Sequence, residues 1–323
     1  MTDAEHLGHG ISAIPLPLPF KSPAFVNAYV IEGGTGLTLI DCGVDWEPGR
    51  RALATGFSDL GFKAKDVDTL IVSHLHPDHV GMAPRLVEET GCRLVMHETA
   101  TARVSRYNDT EGLVERTRLL ASLHGVPEEL RAGLAELGPR PDWMPLMKPP
   151  DVTVADGEEI SLDAGRRLEV IHTPGHEATH ICLRDSRTGI LFAGDHVLPR
   201  ITPVIMYDED VLDSLGDYLS SLGKLRDMEI GLTYPAHGSI VERGSQRVDQ
   251  IILHHQRRLS GMEDVVKLGP ATAWKVLRAA FRPHLSPLEQ RLALRETVAH
   301  LEYLRLRDHL ETFEEKGTLW YRR

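Results

Sequence analysis

Ser73-His74-Leu75-His76-Pro77-Asp78-His79 is the stretch on which both the fold and the chemistry turn. It follows the β-branched run Thr69-Leu70-Ile71-Val72 and places four potential metal ligands within six residues. Alternate residues of an extended segment share a side, so His74 and His76 can face one centre from a strand end. Asp78 and His79 occur where the chain turns toward a helix expected over 82–89, which allows a second centre nearby. Imidazole and carboxylate suit Zn²⁺, and also iron or manganese where geometry and supply favour them.

Upstream, two apolar runs at 24–31 and 37–40 flank Glu32-Gly33-Gly34-Thr35-Gly36 and read as a hairpin that ends at Asp41-Cys42-Gly43. A helix over 48–61 and a strand over 93–96 complete a β–loop–α–β rhythm, the mark of a layered α/β domain. Residues 98–150 interrupt it with a helical insertion over 103–137 and a proline-rich return, 139–150, carrying Trp143, Met144 and Met147. Strands are expected again at 152–154, 168–172, 180–183 and 189–192, then a helix over 214–225 and the loop Pro235-Ala236-His237-Gly238.

Beyond residue 245 the strand pattern gives way to helices over 247–259, 262–268, 271–280 and 287–305, broken at Gly261, Gly269-Pro270 and Pro283. A hairpin around Lys316-Gly317 closes the chain. This divides the sequence into a catalytic domain, 1–245, and a mainly helical, winged-helix-like domain, 246–323. Leu301, Leu304, Phe313 and Trp320 supply either the core of that second unit or the face of a homodimer.

The 323 residues carry a net charge of −11, which weighs against a broad nucleic-acid-binding surface. Three widely spaced cysteines allow neither a disulfide framework nor a CxxC zinc knuckle, whereas seventeen histidines are an ample stock of ligands. No apolar stretch is long enough to span a bilayer, and residues 1–14 lack the basic and apolar regions of a signal peptide. A cytoplasmic location without membrane attachment is the expectation.

The His-x-His-x-Asp-His segment resembles the signature of the metallo-β-lactamase-fold hydrolases. The resemblance extends, in the family's order, through Asp41, His172-Thr173-Pro174-Gly175-His176, Gly194-Asp195-His196 and Pro235-Ala236-His237-Gly238, covering roughly residues 10–240. It implies an αββα sandwich with the metals at one edge of its two sheets. His74, His76 and His176 would then bind one metal, Asp78, His79 and His237 the other, and Asp195 would bridge them. The LACTB-like branch, with its hydrolases and thioesterases, also resembles this chain in its Leu16-Pro17-Leu18-Pro19 segment and terminal appendage.

That resemblance implies a hydrolase with two divalent ions, zinc foremost and iron or manganese as alternatives. A metal-bridging hydroxide would attack a carbonyl carbon, with Asp78 and Asp195 as the catalytic carboxylates. Asp41, His172 and His196 would support the ligands from behind. The expected substrate is a small acyl ester, thioester or lactone, with Arg200, Trp143, Met147, Met206 and Tyr207 as candidate contacts and Ile205 beside them. The alternatives are a metal-dependent endoribonuclease, a mononuclear-iron redox enzyme and a non-enzymatic interaction protein.

Overall fold

The computed structural model describes residues 3–20, 22–34, 36–136, 140–163 and 165–323. Two sheets face each other. The first has seven strands in chain order: β1 (Glu5–Gly8), β2 (Ile11–Pro17), β3 (Phe25–Glu32), β4 (Leu37–Ile40), β5 (Val67–Ile71), β6 (Arg93–His97) and β7 (Val152–Val154). Strands β1 to β4 pair antiparallel, whereas β4 to β7 run parallel, so β4, β5 and β6 all end at the same edge. The second sheet has the order β12-β11-β10-β9-β8, with β8 (Glu159–Asp163), β9 (Arg166–His172), β10 (Ile181–Asp185), β11 (Leu191–Gly194) and β12 (Thr233–Pro235).

The alternation of β3 builds two cores at once, because successive side chains point to opposite faces. Tyr29 and Ile31 join Ile71, Val95, Leu168, Val170 and Phe192 between the sheets. Val26, Ala28 and Val30 face outward, where α1 (Glu47–Asp59) and α3 (Ala83–Thr90) cover them with Leu53, Phe57 and Leu86. The outer face of the second sheet is covered by α7 (Ser214–Asp227) and α8 (Gly244–Lys267), which contribute Leu215, Tyr218, Val248 and Ile251. Helices outside two facing sheets make the αββα sandwich, extended here by a mostly helical C-terminal segment.

Several elements differ from the sequence expectation. Strands β1, β2 and β8 are additions to it; β2 contains Pro15 and Pro17, which cannot donate to a ladder. Strand β1 pairs only with Ile11–Ala13 of β2, so both prolines lie where one side of the strand is open. The insertion is three helices, α4 (Ala100–Asn108), α5 (Thr110–Leu123) and α6 (Glu128–Ala135); residue 137, the expected helical end, and residue 139, the expected start of the proline-rich return, lie outside the described residues. Gly261 does not break a helix, because α8 runs unbroken through it. A mid-helix glycine costs only about 1 kcal/mol relative to alanine, and burial of Leu259, Met262 and Val266 on the same helix outweighs that.

Helices α9 (Ala273–Ala280) and α10 (Pro287–Arg305) and the hairpin β13 (Glu311–Glu315) and β14 (Thr318–Arg322) complete the chain. Their Val276, Leu294, Leu301, Leu304 and Tyr321 share one core with α7, α8 and the insertion residues Ala121, Val126 and Leu134. Among the described residues, no helix is long and apolar enough to cross a membrane. All three cysteines are buried and free.

Candidate metal centre

Residues with ligand chemistry meet where the parallel strands of the first sheet end opposite β11 and β12 of the second. His74 and His76 follow β5, Asp78 and His79 lie in the short helix α2 (Pro77–Val80), Asp195 follows β11 and His237 follows β12. His176 comes from the loop joining β9 to β10. That loop passes so close to α7 that a Cβ on Gly175, whose φ is +132°, would lie 2.4 Å from Tyr218 Cα. Glycine is required there, and the tight approach places the next residue, His176, over the sheet edge.

Three overlapping groups each bring their ligand atoms within 4.8 Å of one another: His74 with His76 and His176, His74 with His79 and Asp195, and Asp78 with His79 and His237. His237 Nε2 lies 3.3 Å from both Asp78 Oδ2 and Asp195 Oδ1, while the other Asp195 oxygen is 3.5 Å from His176 Nε2. Ligands about 2.0–2.1 Å from a tetrahedral ion stand about 3.3 Å apart, so these spacings fit a cation between them. Among the described residues, Nε2 of His79, Nε2 of His176 and Oδ1 of Asp195 are also buried without a hydrogen-bond partner. Buried polar atoms are normally satisfied; here the orphaned atoms converge, and a bound ion would satisfy them together.

The opposite nitrogen is anchored in four of the five rings, whereas His76 Nδ1 lies 2.9 Å from His74 Nε2. His79 Nδ1 meets Asp41 Oδ2 at 2.7 Å, His176 Nδ1 donates to the Val204 carbonyl at 2.9 Å, and His237 Nδ1 donates to the Phe25 carbonyl at 2.7 Å. His74 Nδ1 lies 3.0 Å from Ser73 Oγ, and Ser73 Oγ and N–H both donate to Asp41. Such outer partners fix the tautomer and leave the inward nitrogen free for a metal. Asp41 holds a left-handed backbone, φ 58°, at the end of β4, a strained conformation for a residue with a side chain. Its two oxygens serve Ser73 and His79 at once.

Electrostatics divide the cluster. Burial lowers His74 well below its usual value, aided by the four neighbouring histidines, and holds His176 at about 4. Burial also opposes charge on His79, yet Asp41, Asp195 and Asp78 outweigh it and raise its pKa well above normal. Asp78 and Asp195 are buried too, but His79 and His237 keep both carboxylates ionised. The centre therefore offers neutral imidazoles on the His74 side and anionic oxygens on the other.

The supporting residues take different positions. His172 Nε2 donates to the Ala178 carbonyl at 3.0 Å, bracing the loop of His176, and its ring stacks on His97 with centroids 3.7 Å apart. His196 is buried beside Tyr218, at 4.6 Å between ring centroids, and both its ring nitrogens lack a partner among the described residues. The sequence offers His180, at the start of a strand, as a core residue or a support behind the ligands, and gives no role to Asn27 or Tyr29. His180 Nε2 accepts the Asp195 N–H at 3.1 Å, while Asn27 Nδ2 and Tyr29 Oη donate to the Pro235 carbonyl at 3.1 and 2.7 Å. The structure gives His180 the supporting position, through the backbone of Asp195.

The candidate substrate contacts do not form one cluster. Met147 packs in the outer core of the first sheet with Trp143 against it; Ile205 is buried in the core beneath α7, where Tyr207 also packs. Met206 is part-buried and Arg200 exposed. Trp143 meets Phe20 edge-on at 5.5 Å. An endoribonuclease would call on Arg257, Arg258, Arg305 or Arg307 for phosphates; Arg257 is exposed, whereas Arg258 is paired with Glu296 at 2.6 Å, Arg305 with Glu302 at 2.7 Å and Arg307 with Asp213 at 2.8 Å.

Comparison with known proteins agrees with this geometry. The metallo-beta-lactamase superfamily matches residues 22–237, two thirds of the chain and all of the convergent residues. The chain belongs to this superfamily. Residues 259–323 match the family described as the metallo-beta-lactamase-like C-terminal domain. A crystal structure of a metallo-beta-lactamase family protein from Thermus thermophilus is 30% identical, with a TM-score of 0.84 over 98% of this chain and all of that one. The probable metallo-hydrolase YqjP of Bacillus subtilis is 25% identical over 97% of both chains. An atrochrysone carboxyl ACP thioesterase of Aspergillus fumigatus is 25% identical over 72% of this chain and 56% of its own length. With the family and a two-centre ligand cluster both in place, the protein is a metal-dependent hydrolase.

Proposed function

We propose that the protein hydrolyses a small acyl substrate, a thioester first and an ester or lactone next. The observation that carries the reaction type is the convergence of five histidines and two aspartates, four of the histidines being anchored through the nitrogen that faces away from the centre. His74, His76 and His176 would hold one divalent ion, and Asp78, His79 and His237 the other, with Asp195 reaching both. Zinc suits this nitrogen-rich set best, with iron and manganese as alternatives. Two such ions supply an activated water and polarise the acyl oxygen.

The chain's own groups do the rest. Asp41 fixes the His79 ring, His180 holds the backbone of Asp195, and Asn27 and Tyr29 secure the loop of His237. Asp78 and Asp195 face the centre as carboxylates able to take up a proton and return it to the leaving group. Trp143, with Phe20 beside it, and Met206 present part-exposed apolar surface for an acyl chain, and the exposed Arg200 is available to an anionic tail. In this reading Met147 and Tyr207 act from behind that surface.

The thioester preference is supported by the thioesterase among the relatives, and the LACTB-like assignment by the order of the motifs and the terminal unit. In the same reading residues 246–323 form a winged-helix-like unit that stabilises the catalytic part. The pairing of Arg258, Arg305 and Arg307 with carboxylates weighs against a phosphate-binding role for it. The test is a panel of acyl thioesters, simple esters, lactones and short RNA with the metal-loaded protein. Thioester hydrolysis at the highest kcat/KM is expected; RNA cleavage with little acyl hydrolysis would overturn the proposal.

A further inference from the structure

Residues 195–213 form neither helix nor strand, yet they supply the carbonyl of Val204 that anchors His176 at 2.9 Å. This segment is gripped from outside the sandwich. On one side, Arg247 of α8 donates through Nε to the Leu198 carbonyl at 2.6 Å and through Nη2 to the Ile201 carbonyl at 2.9 Å. On the other, Arg295 of α10 donates through Nη1 to the Tyr207 carbonyl at 2.8 Å, and its own carbonyl accepts the Tyr207 N–H at 3.0 Å. Arg295 Nη2 also meets Glu209 at 3.2 Å, and Arg103 and Arg106 of α4 pair with Asp208, Glu209 and Asp210. Between the two grips Ile205 is fully buried, which leaves Val204 little freedom.

The outer partner of His237 is, by contrast, the Phe25 carbonyl at the start of β3, inside the first sheet. His79 is anchored by Asp41 at the end of β4. Only the His176 anchor, among those three, hangs from an irregular segment. We propose that α8 and α10 hold the His74/His76/His176 half of the centre in shape, with Arg247 and Arg295 as positioning residues that act through Val204. The inference rests on His176 being a ligand. A charged side chain bonded to carbonyls fixes a backbone segment more firmly than a neutral one, because charge-assisted hydrogen bonds are the stronger kind. The C-terminal helices thus serve the catalytic centre without touching it.

The test uses the metal-free full-length protein titrated with Co²⁺, following the visible absorption bands of the bound ion. His176→Ala and His237→Ala identify which bands belong to which half. Arg295→Met, which loosens the outer partner of His176 without removing it, is expected to weaken Co²⁺ binding in the His176 half by up to about 10-fold, the low end of the cost of losing such a partner outright, while the His237 bands keep their affinity. Arg247→Met, at a part-exposed position less critical for folding, is expected to act in the same direction. Unchanged affinity in both halves, or an equal loss in both, overturns the inference. If His176→Ala itself leaves both sets of bands intact, the assignment of His176 as a ligand fails and the inference falls with it.

Discussion

Two sets of buried histidines in this molecule have opposite fates. At the sheet edge, His79, His176 and His237 each turn one nitrogen to an anchor and the other to a centre shared with Asp78 and Asp195. Between α8 and α10, His255 and His300 are just as inaccessible, but they turn their nitrogens to each other, 3.2 Å apart, and His300 Nδ1 donates to the Glu296 carbonyl. The carboxylate of Glu296 is taken by Arg258. Among the described residues, no three-ligand group includes either of them. What separates a ligand set from a packed pair is therefore the direction of the second nitrogen and the presence of carboxylates, not the number of histidines or their burial.

Breaking the first set should have the largest effect. Asp195→Ala removes the oxygens that reach His79, His176 and His237, and should lower kcat/KM by more than about 100-fold, the upper range for losing even an outer partner. Metal content measured on the same sample should fall with it; full activity with both ions retained would contradict the shared role of Asp195. Asp41→Asn comes next. It leaves His79 Nδ1 facing an amide, and should weaken metal binding about 10–100-fold in calorimetric titration of the metal-free protein. An unchanged titration would mean that Asp41 serves only the turn after β4.

The second set should respond to pH instead. Burial holds His255 at about 2 and His300 at about 3 in the folded protein. In the unfolded chain both return to about 6.5. Their folded values are depressed, so below about pH 6.5 the unfolded chain takes up protons that the fold excludes, and stability is lost as pH falls toward 3. Each contributes a slope of up to about 1.4 kcal/mol per pH unit in that window. Urea unfolding at pH 6.5 and 5.5 should therefore show His300→Leu losing about 1 kcal/mol less than the parent protein. Equal losses would show that the pair does not titrate as described. The smallest expected effect is of the same variant on the catalytic centre: His300→Leu should keep both metal ions and activity within about twofold, as a change outside the ligand shell should.

The contrast also explains what the sequence made legible. Side chains that carry chemistry are local features, so the segment from His74 to His79 could be read directly, whereas His176, Asp195 and His237, scattered along the chain, entered only through the resemblance of their motifs to a family. Their alternation with apolar runs was enough for the layered fold. The anchors could not be read, because Val204 and Phe25 act through backbone carbonyls, a group every residue possesses. The strand β2 was hidden by Pro15 and Pro17, which are tolerated only because one side of the strand is open beyond β1. Strand β8 was hidden because only Leu162 of its five residues is buried, and the continuity of α8 by a glycine whose cost is small beside the packing of its buried face. Seventeen histidines in the composition said nothing about which would face inward; contacts distant in sequence, with Asp41, Val204 and Phe25, decide that.

In the proposed reaction, catalysis depends on two ions held by this one cluster. Metal-free protein supplied with measured equivalents of Zn²⁺, and assayed on an acyl thioester after each addition, tests it most directly. Hydrolysis should be absent at first and should rise to a plateau at two equivalents per chain. Full hydrolysis without metal, or a plateau at one equivalent, would rule out a two-ion centre.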